Sequence, residues 1–125
     1  MKMKSKSKSK YVDGFVLPVP KKKLKEYERM AKLASKVWMD HGALEYVECI
    51  ADDVKKGKVT SFPQSVKLKA GEVVVFAWIG YKSRAHRDRV MGKVMSDPRL
   101  TGSMDTMPFD GMRMFWGGFK PFVKA

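Results

Sequence analysis

Val73-Val74-Val75-Phe76-Ala77-Trp78-Ile79 is the stretch on which the fold turns. Seven apolar residues in succession, β-branched and aromatic, between Gly71 and Gly80, read as a strand. Alternation sorts them into two sets, Val73, Val75, Ala77 and Ile79 on one face and Val74, Phe76 and Trp78 on the other. Neither set suits water, so both faces of this strand must be covered.

Upstream, Asp52 opens a polar excursion of about twenty residues containing Gly57, Pro63 and Gly71, long for a connection in a compact domain. Ala43 to Ala51 before it is extended in character. From Lys21 to about His41 the period changes. Leu24, Tyr27, Ala31, Ala34 and Trp38 fall three or four apart, with Lys25, Glu28, Lys32 and Lys36 on the other side. This is an amphipathic helix ending at a left-handed Gly42. Tyr11 to Val19 is a first strand closed by Pro18 and Pro20. Downstream, Ser83 caps a second helix running to about Ser96, where Asp97-Pro98 stops it. Residues 99 to 110 are irregular. Met112 to Val123 supplies a last strand, with a bulge or bend at Gly117-Gly118.

The order strand, helix, strand, strand, helix, strand is an α+β pattern, the ferredoxin-like βαββαβ arrangement. Right-handed crossovers put both helices on one face of a four-stranded antiparallel sheet, with the first and third strands central. No helix is left for the other face, and a second copy of the sheet is the economical cover. The pattern therefore predicts a homodimer.

A chain of 125 residues with 44% hydrophobic and 31% charged residues is one globular domain and too apolar to be disordered. One cysteine excludes an internal disulfide. A zinc site would have to draw on Cys49, His41, His86 and carboxylates, which lack any ligand spacing, so neither a metal nor another cofactor is expected. No run approaches the roughly 18 apolar residues of a membrane span, and the basic N-terminus lacks the apolar core of a signal peptide, which implies a cytoplasmic protein without a membrane partner. The net charge of +13 is concentrated: Lys2, Lys4, Lys6, Lys8 and Lys10 alternate with Met and Ser, and without these five of the 26 basic residues the net charge is +8. Residues 1–10 read as a disordered basic tail and 11–125 as the folded domain. Lys21, Lys22, Lys23 and Lys25 add a second cluster. With no stacking motif or phosphate-cradling loop, this charge implies salt-sensitive adhesion to polyanions and no specific nucleic acid.

Few residues carry chemistry. Asp13 is an acid in an apolar strand, and desolvation there raises a carboxyl pKa; Arg113 on the last strand is its expected partner. His86, in the first turn of the second helix, either lies on the surface among arginines or points into a cavity between helix and sheet. Trp78, His86 and Asp13 are accordingly the candidate ligand-binding residues, with His86 and Asp13 as the candidate proton carriers. His41 ends the first helix and complements its dipole. Cys49 reads as a small buried hydrophobe. Met104, Met107, Met112 and Met114 are suited to lining an adaptable apolar pocket.

The most distinctive segment is Met107-Pro108-Phe109-Asp110-Gly111-Met112-Arg113-Met114. Pro108 presets φ, Asp110 bonds nearby backbone, and Gly111 allows a left-handed turn, so Pro108, Asp110, Gly111 and Arg113 form a structural motif. This segment resembles the MPFDGxRM signature of the YbaA-like bacterial family, a domain of unknown function. Tyr11-Val12-Asp13-Gly14-Phe15-Val16, His41-Gly42-Ala43-Leu44, Glu48-Cys49, Gly57-Lys58-Val59-Thr60, Asp97-Pro98-Arg99 and Gly117-Gly118-Phe119 are similar to it too. The resemblance spans 11–125 and implies the dimeric α/β-barrel fold. Relatives by fold include cofactor-independent and haem-degrading monooxygenases, the latter with an Asn, Trp and His trio; Asp13, Trp78 and His86 sit on comparable elements, with the Asn replaced. Two functions follow as expectations: a small dimeric barrel that binds an apolar or aromatic small molecule, or a monooxygenase-like enzyme.

Overall fold

Tyr11–Pro20 (β1) and Glu72–Tyr81 (β3) run antiparallel over their full lengths, from Tyr11 opposite Tyr81 to Pro20 opposite Glu72. Glu45–Ile50 (β2) pairs with the outer side of β3 and Phe115–Phe119 (β4) with the outer side of β1, giving the order β2-β3-β1-β4 with every pairing antiparallel. The chain is thus an α+β fold built on a four-stranded antiparallel sheet. This is a computed structural model, and it describes residues 7–101 and 107–125.

Leu24–Asp40 (α1) follows a 3₁₀ turn at Lys21–Lys23 and ends where Gly42 takes a φ of 110°, a left-handed conformation that glycine adopts without a Cβ penalty. The reversed chain closes the end by bonding Ala43 N–H to the Trp38 carbonyl at 3.0 Å. Arg84–Met95 (α3) starts at Ser83, whose hydroxyl accepts the His86 N–H at 3.0 Å. Asp97 then accepts from the Arg99 N–H and opens Pro98–Thr101 (α4). His41, Asp40, Asp97 and Arg99 join α1 to α4. The Asp97 carboxylate takes His41 Nε2 at 2.8 Å and two nitrogens of Arg99, which reaches on to Asp40 at 2.8 Å. These Arg99 bonds, with backbone and His41 contacts, hold the Asp97 pKa below the usual carboxylate range.

Both long helices cover one sheet face. Val37 of α1 and Val90 and Val94 of α3 pack with Tyr11, Ile79 and Tyr81, while Tyr27 packs with Leu17, Val19 and Val75. Alternation turns Val74, Phe76 and Trp78 to the opposite face. There Phe76 stands opposite Val16 and Cys49, and Trp78 opposite Gly14 and Val47. The long excursion covers one end of that face. Phe62–Ser65 (α2) leads into Val66, which is buried with Val16 and Val74, and Phe62 meets Phe76 edge-on at 5.9 Å. Phe76, Phe115 and Phe119 remain 42%, 47% and 65% exposed, so the rest of this face is open and apolar.

Several expectations are corrected by the register and packing. β4 pairs continuously from Phe115 opposite Val16 to Phe119 opposite Val12, so Gly117-Gly118 makes no bulge. The glycine at 118 instead serves a close approach, because a Cβ there would stand 2.1 Å from the Tyr11 hydroxyl. Gly111 is not among the residues of positive φ. Cys49 is exposed on the open face rather than buried. The free tail expected through Lys10 does not hold for its last residues: Ser9 is buried, its hydroxyl donates to Glu45 at 3.1 Å, and Lys10 N–H bonds the Tyr81 carbonyl at 2.8 Å. Residues 1–6 and Met104 lie outside the described residues.

Arg113 precedes β4 and clips the excursion to the loop before that strand. Its guanidinium donates to Asp110 at 2.9 Å, to both Glu72 oxygens at 2.8 and 2.6 Å, and to the Val66 and Lys67 carbonyls. Asp110 also accepts the Met112 N–H, and Pro108 is buried beside this turn, so the structural motif is a clip rather than a left-handed turn. Two glycines of the β1–β4 ladder, Gly118 opposite Asp13 and Gly14 opposite Gly117, offer a contrast. Gly118→Ala should cost about 1–3 kcal/mol, because buried Tyr11 cannot easily yield, whereas Gly14→Ala meets nothing within 4 Å and should be neutral or slightly stabilising. Denaturant unfolding of the two variants checks this.

Candidate functional site

The helix-facing side of the sheet and the underside of α1 enclose a cavity of about 210 Å³. Phe15 and Leu17 of β1, Ala77 and Ile79 of β3, and Met30, Ala34 and Trp38 of α1 supply apolar walls, and Met107, Phe109 and Met114 close one side. Small Ala31 and Ala34 on the helix leave the space that larger residues would fill.

One polar cluster interrupts this lining. Tyr46 and Glu48 are two residues apart on β2 and so share a face, and Tyr27 descends on them from α1. The Tyr27 hydroxyl donates to Glu48 Oε1, and the Tyr46 hydroxyl donates to Glu48 Oε2 at 2.7 Å. Burial, reinforced by the Glu48 charge, pushes both phenol pKa values far up, so neither hydroxyl gives up its proton in the ordinary pH range. Trp38, tilted against Tyr46 with ring centres 5.9 Å apart, spends its N–H on the Tyr81 hydroxyl at 3.1 Å.

Tyr81 leads away from the cavity to a buried ion pair. Asp13 is fully buried, and its Oδ1 accepts from Arg87 Nη1 at 2.8 Å. The Tyr81 hydroxyl interacts with this carboxyl, whose Oδ2 is a buried oxygen with no hydrogen-bond partner among the described residues. Arg87 lies between the rings of Tyr11 and Trp116, at 5.2 and 5.7 Å, and also reaches Asp88 at 2.8 Å. Burial raises the Asp13 pKa even against the lowering pull of Arg87. The expected partner was wrong: Asp13 pairs with Arg87, and Arg113 belongs to Glu72 and Asp110.

A family model described as a protein of unknown function, DUF1428, matches residues 10–111. The chain belongs to the DUF1428 family. Uncharacterized protein YbaA of Escherichia coli strain K12 is 49% identical to it over 114 residues, covering 91% of this chain and 97% of its own. Uncharacterized protein YbaA of Shigella flexneri aligns to the same extent. Among solved structures, a de novo designed protein, Foldit4, is matched over 91% of this chain and 98% of its own at 11% identity and a TM-score of 0.43.

In this DUF1428 chain the three residues expected to bound a ligand site are not brought together. Trp78 faces away from the helices, 5.7 Å from Phe76 on the open face. His86 is buried, neither on the surface nor lining the cavity. Its Nδ1 accepts the Lys82 N–H at 2.9 Å, its Nε2 lies beside Gly42, and the ring meets Tyr81 edge-on. Burial, and then Lys82, lower its pKa, so it serves as a neutral brace between α3 and the end of α1. An Asp13, Trp78 and His86 trio resembling that of the haem degraders is therefore not assembled. Among the described residues no group of three or more His, Cys, Asp and Glu side chains is placed to hold a metal ion. Glu48, Tyr27 and Tyr46 are the residues that sequence reasoning missed. A signal existed in the Tyr46-x-Glu48 spacing, which puts an acid and a phenol on one face of a strand.

The Asp13 shift sets a pH dependence. An unfolded Asp ionises near pH 3.9, while folded Asp13 keeps its proton to higher pH, so stability from this group is greatest below pH 4 and falls as pH rises through the raised value. Arg87→Met, which strands the buried carboxylate, should cost about 3–5 kcal/mol near pH 7 and clearly less near pH 4. Unfolding curves at the two pH values measure the difference.

Proposed function

We propose that this DUF1428 chain is a small-molecule-binding protein that takes a compact aromatic or apolar ligand between α1 and the sheet. The observation that carries this reading is the cavity, about 210 Å³ with apolar walls and the polar cluster of Tyr27, Tyr46 and Glu48. Engineered apolar cavities of about 150 Å³ accept benzene, so the space suits a molecule of one or two rings and is far too small for a haem. Apolar walls with a few well-placed polar groups are what orientation of such a ligand requires.

Native mass spectrometry of the purified protein tests for a retained ligand, and titration with naphthalene followed by Trp38 fluorescence tests the cavity directly. Ala34→Leu, which grows into the cavity from α1, should raise stability by about 0.5–2 kcal/mol and weaken naphthalene binding at least tenfold. Unchanged affinity in that variant would place the binding elsewhere and overturn the reading.

The strand order and the helices on one face support a ferredoxin-like arrangement. The open face, with Phe76, Phe115 and Phe119 exposed, supports a homodimer of the dimeric α/β-barrel kind, in which a second copy covers those rings. An exposed unpaired Cys49 fits a reducing, cytoplasmic setting. Among the described residues no helix is long and apolar enough to cross a membrane. Phe76→Asp should convert the dimer to monomer in sedimentation equilibrium, and a monomeric unmodified protein at micromolar concentration would sink this assembly.

A further inference from the structure

We infer that the cavity selects aromatic ligands carrying a hydrogen-bond donor, a phenol being the simplest, through the lone pairs left on Glu48, Tyr27 and Tyr46. This rests on the ligand-binding reading above and adds to it the chemical class of the ligand.

The inference follows from counting protons. A carboxylate only accepts, and each tyrosine has a single hydroxyl proton. Both of those protons are committed to Glu48, one to each oxygen. The Trp38 N–H is committed to Tyr81. The side chains of the polar cluster therefore present acceptor lone pairs and no free donor to the space beneath α1. Among the described residues, the hydroxyl of Thr101, at the end of α4, is the other polar side-chain group lining the cavity, and it lies on a different wall from β2. A ligand hydroxyl or N–H entering beside Glu48 finds an acceptor, and the carboxylate charge makes that bond stronger than one between neutral groups. An ether or ketone oxygen in the same place meets only lone pairs and is repelled.

The ring preference comes from the surroundings. Tyr27 meets Phe109 edge-on at 5.7 Å, Tyr46 meets Trp38 at 5.9 Å, and Met30, Met95 and Met114 supply thioethers of the kind that pack against ring edges. Polar recognition and aromatic packing thus meet at the same two tyrosines.

The test compares 4-methylphenol, 4-methylanisole and toluene by calorimetric titration of the unmodified protein. In a cavity with no acceptor, toluene binds at least as well as the phenol, because burying an unpaired hydroxyl is unfavourable. Donor recognition reverses that order. 4-Methylphenol should bind roughly tenfold to a hundredfold tighter than either comparator, the range expected for a hydrogen bond to a charged group. Toluene binding as tightly as 4-methylphenol would overturn the donor inference and leave the cavity reading standing. Failure of all three at millimolar concentration would overturn both. Glu48→Met removes the carboxylate and releases the two hydroxyl protons, so the preference for the phenol over 4-methylanisole should fall below about threefold while toluene still binds. Persistence of the full preference in a variant that binds toluene would show that Glu48 is not the acceptor. Should Glu48→Met fail to fold, the ligand order in the unmodified protein still decides.

Discussion

The ladder between β1 and β3 governs everything else in the molecule. Because side chains alternate strictly along it, setting Asp13 opposite Ile79 also sets Tyr11, Phe15 and Leu17 beneath the helices and Val16, Phe76 and Trp78 away from them. A slip of one residue would exchange the two sets and move Asp13 from its buried ion pair to the open face. The same alternation carries across to β2, where Tyr46 and Glu48 face the cavity while Val47 and Cys49 do not. The polar cluster and the apolar walls are thus products of one register.

Burying Asp13 under that register is costly by itself, since a lone carboxylate in an apolar interior is strongly disfavoured. Arg87 offsets much of this by bringing a cation that also lies over the rings of Tyr11 and Trp116. The pair ties α3 to the central strand, and the rings of Tyr11 and Trp116 extend that tie to β4. His86, one residue earlier on α3, braces the same helix against Gly42. Adjacent residues at the start of α3 therefore point to two different anchors, which fixes the helix over the sheet in both position and rotation.

Much of the framework was legible because it is written locally. The period of α1, the left-handed stop at Gly42, the Ser83 cap and the wholly apolar run at 73–79 each depend on neighbours within a few residues. The site was less legible because it is made across the chain. Alternation separates Trp78 from Ala77 and Ile79 but says nothing of which set meets the helices; that follows from where Val37, Val90 and Val94 land. Asp13 was readable as an awkward buried acid, whereas its partner lies 74 residues away on a helix crowded with other cations. Glu48 looks like an ordinary strand-surface acid until Tyr27 arrives from α1 to share it.

Arg113 bears on how the chain reaches this structure. Its bonds join it to Glu72 across 41 residues and to Val66 across 47, so they form only after that much chain has been brought back on itself. Closing loops of this length is entropically unfavourable until other contacts have shortened them. The β1–β3 ladder is more distant still, pairing Tyr11 with Tyr81. Strand pairing over such separations is slower to form than local helical contacts. The clip, spanning more than forty residues, is likewise a late contact to expect. Interactions that form after the folding transition state act mainly by slowing unfolding, and contacts closed over such spans would make Arg113 a determinant of how long the native state persists more than of how fast it is reached.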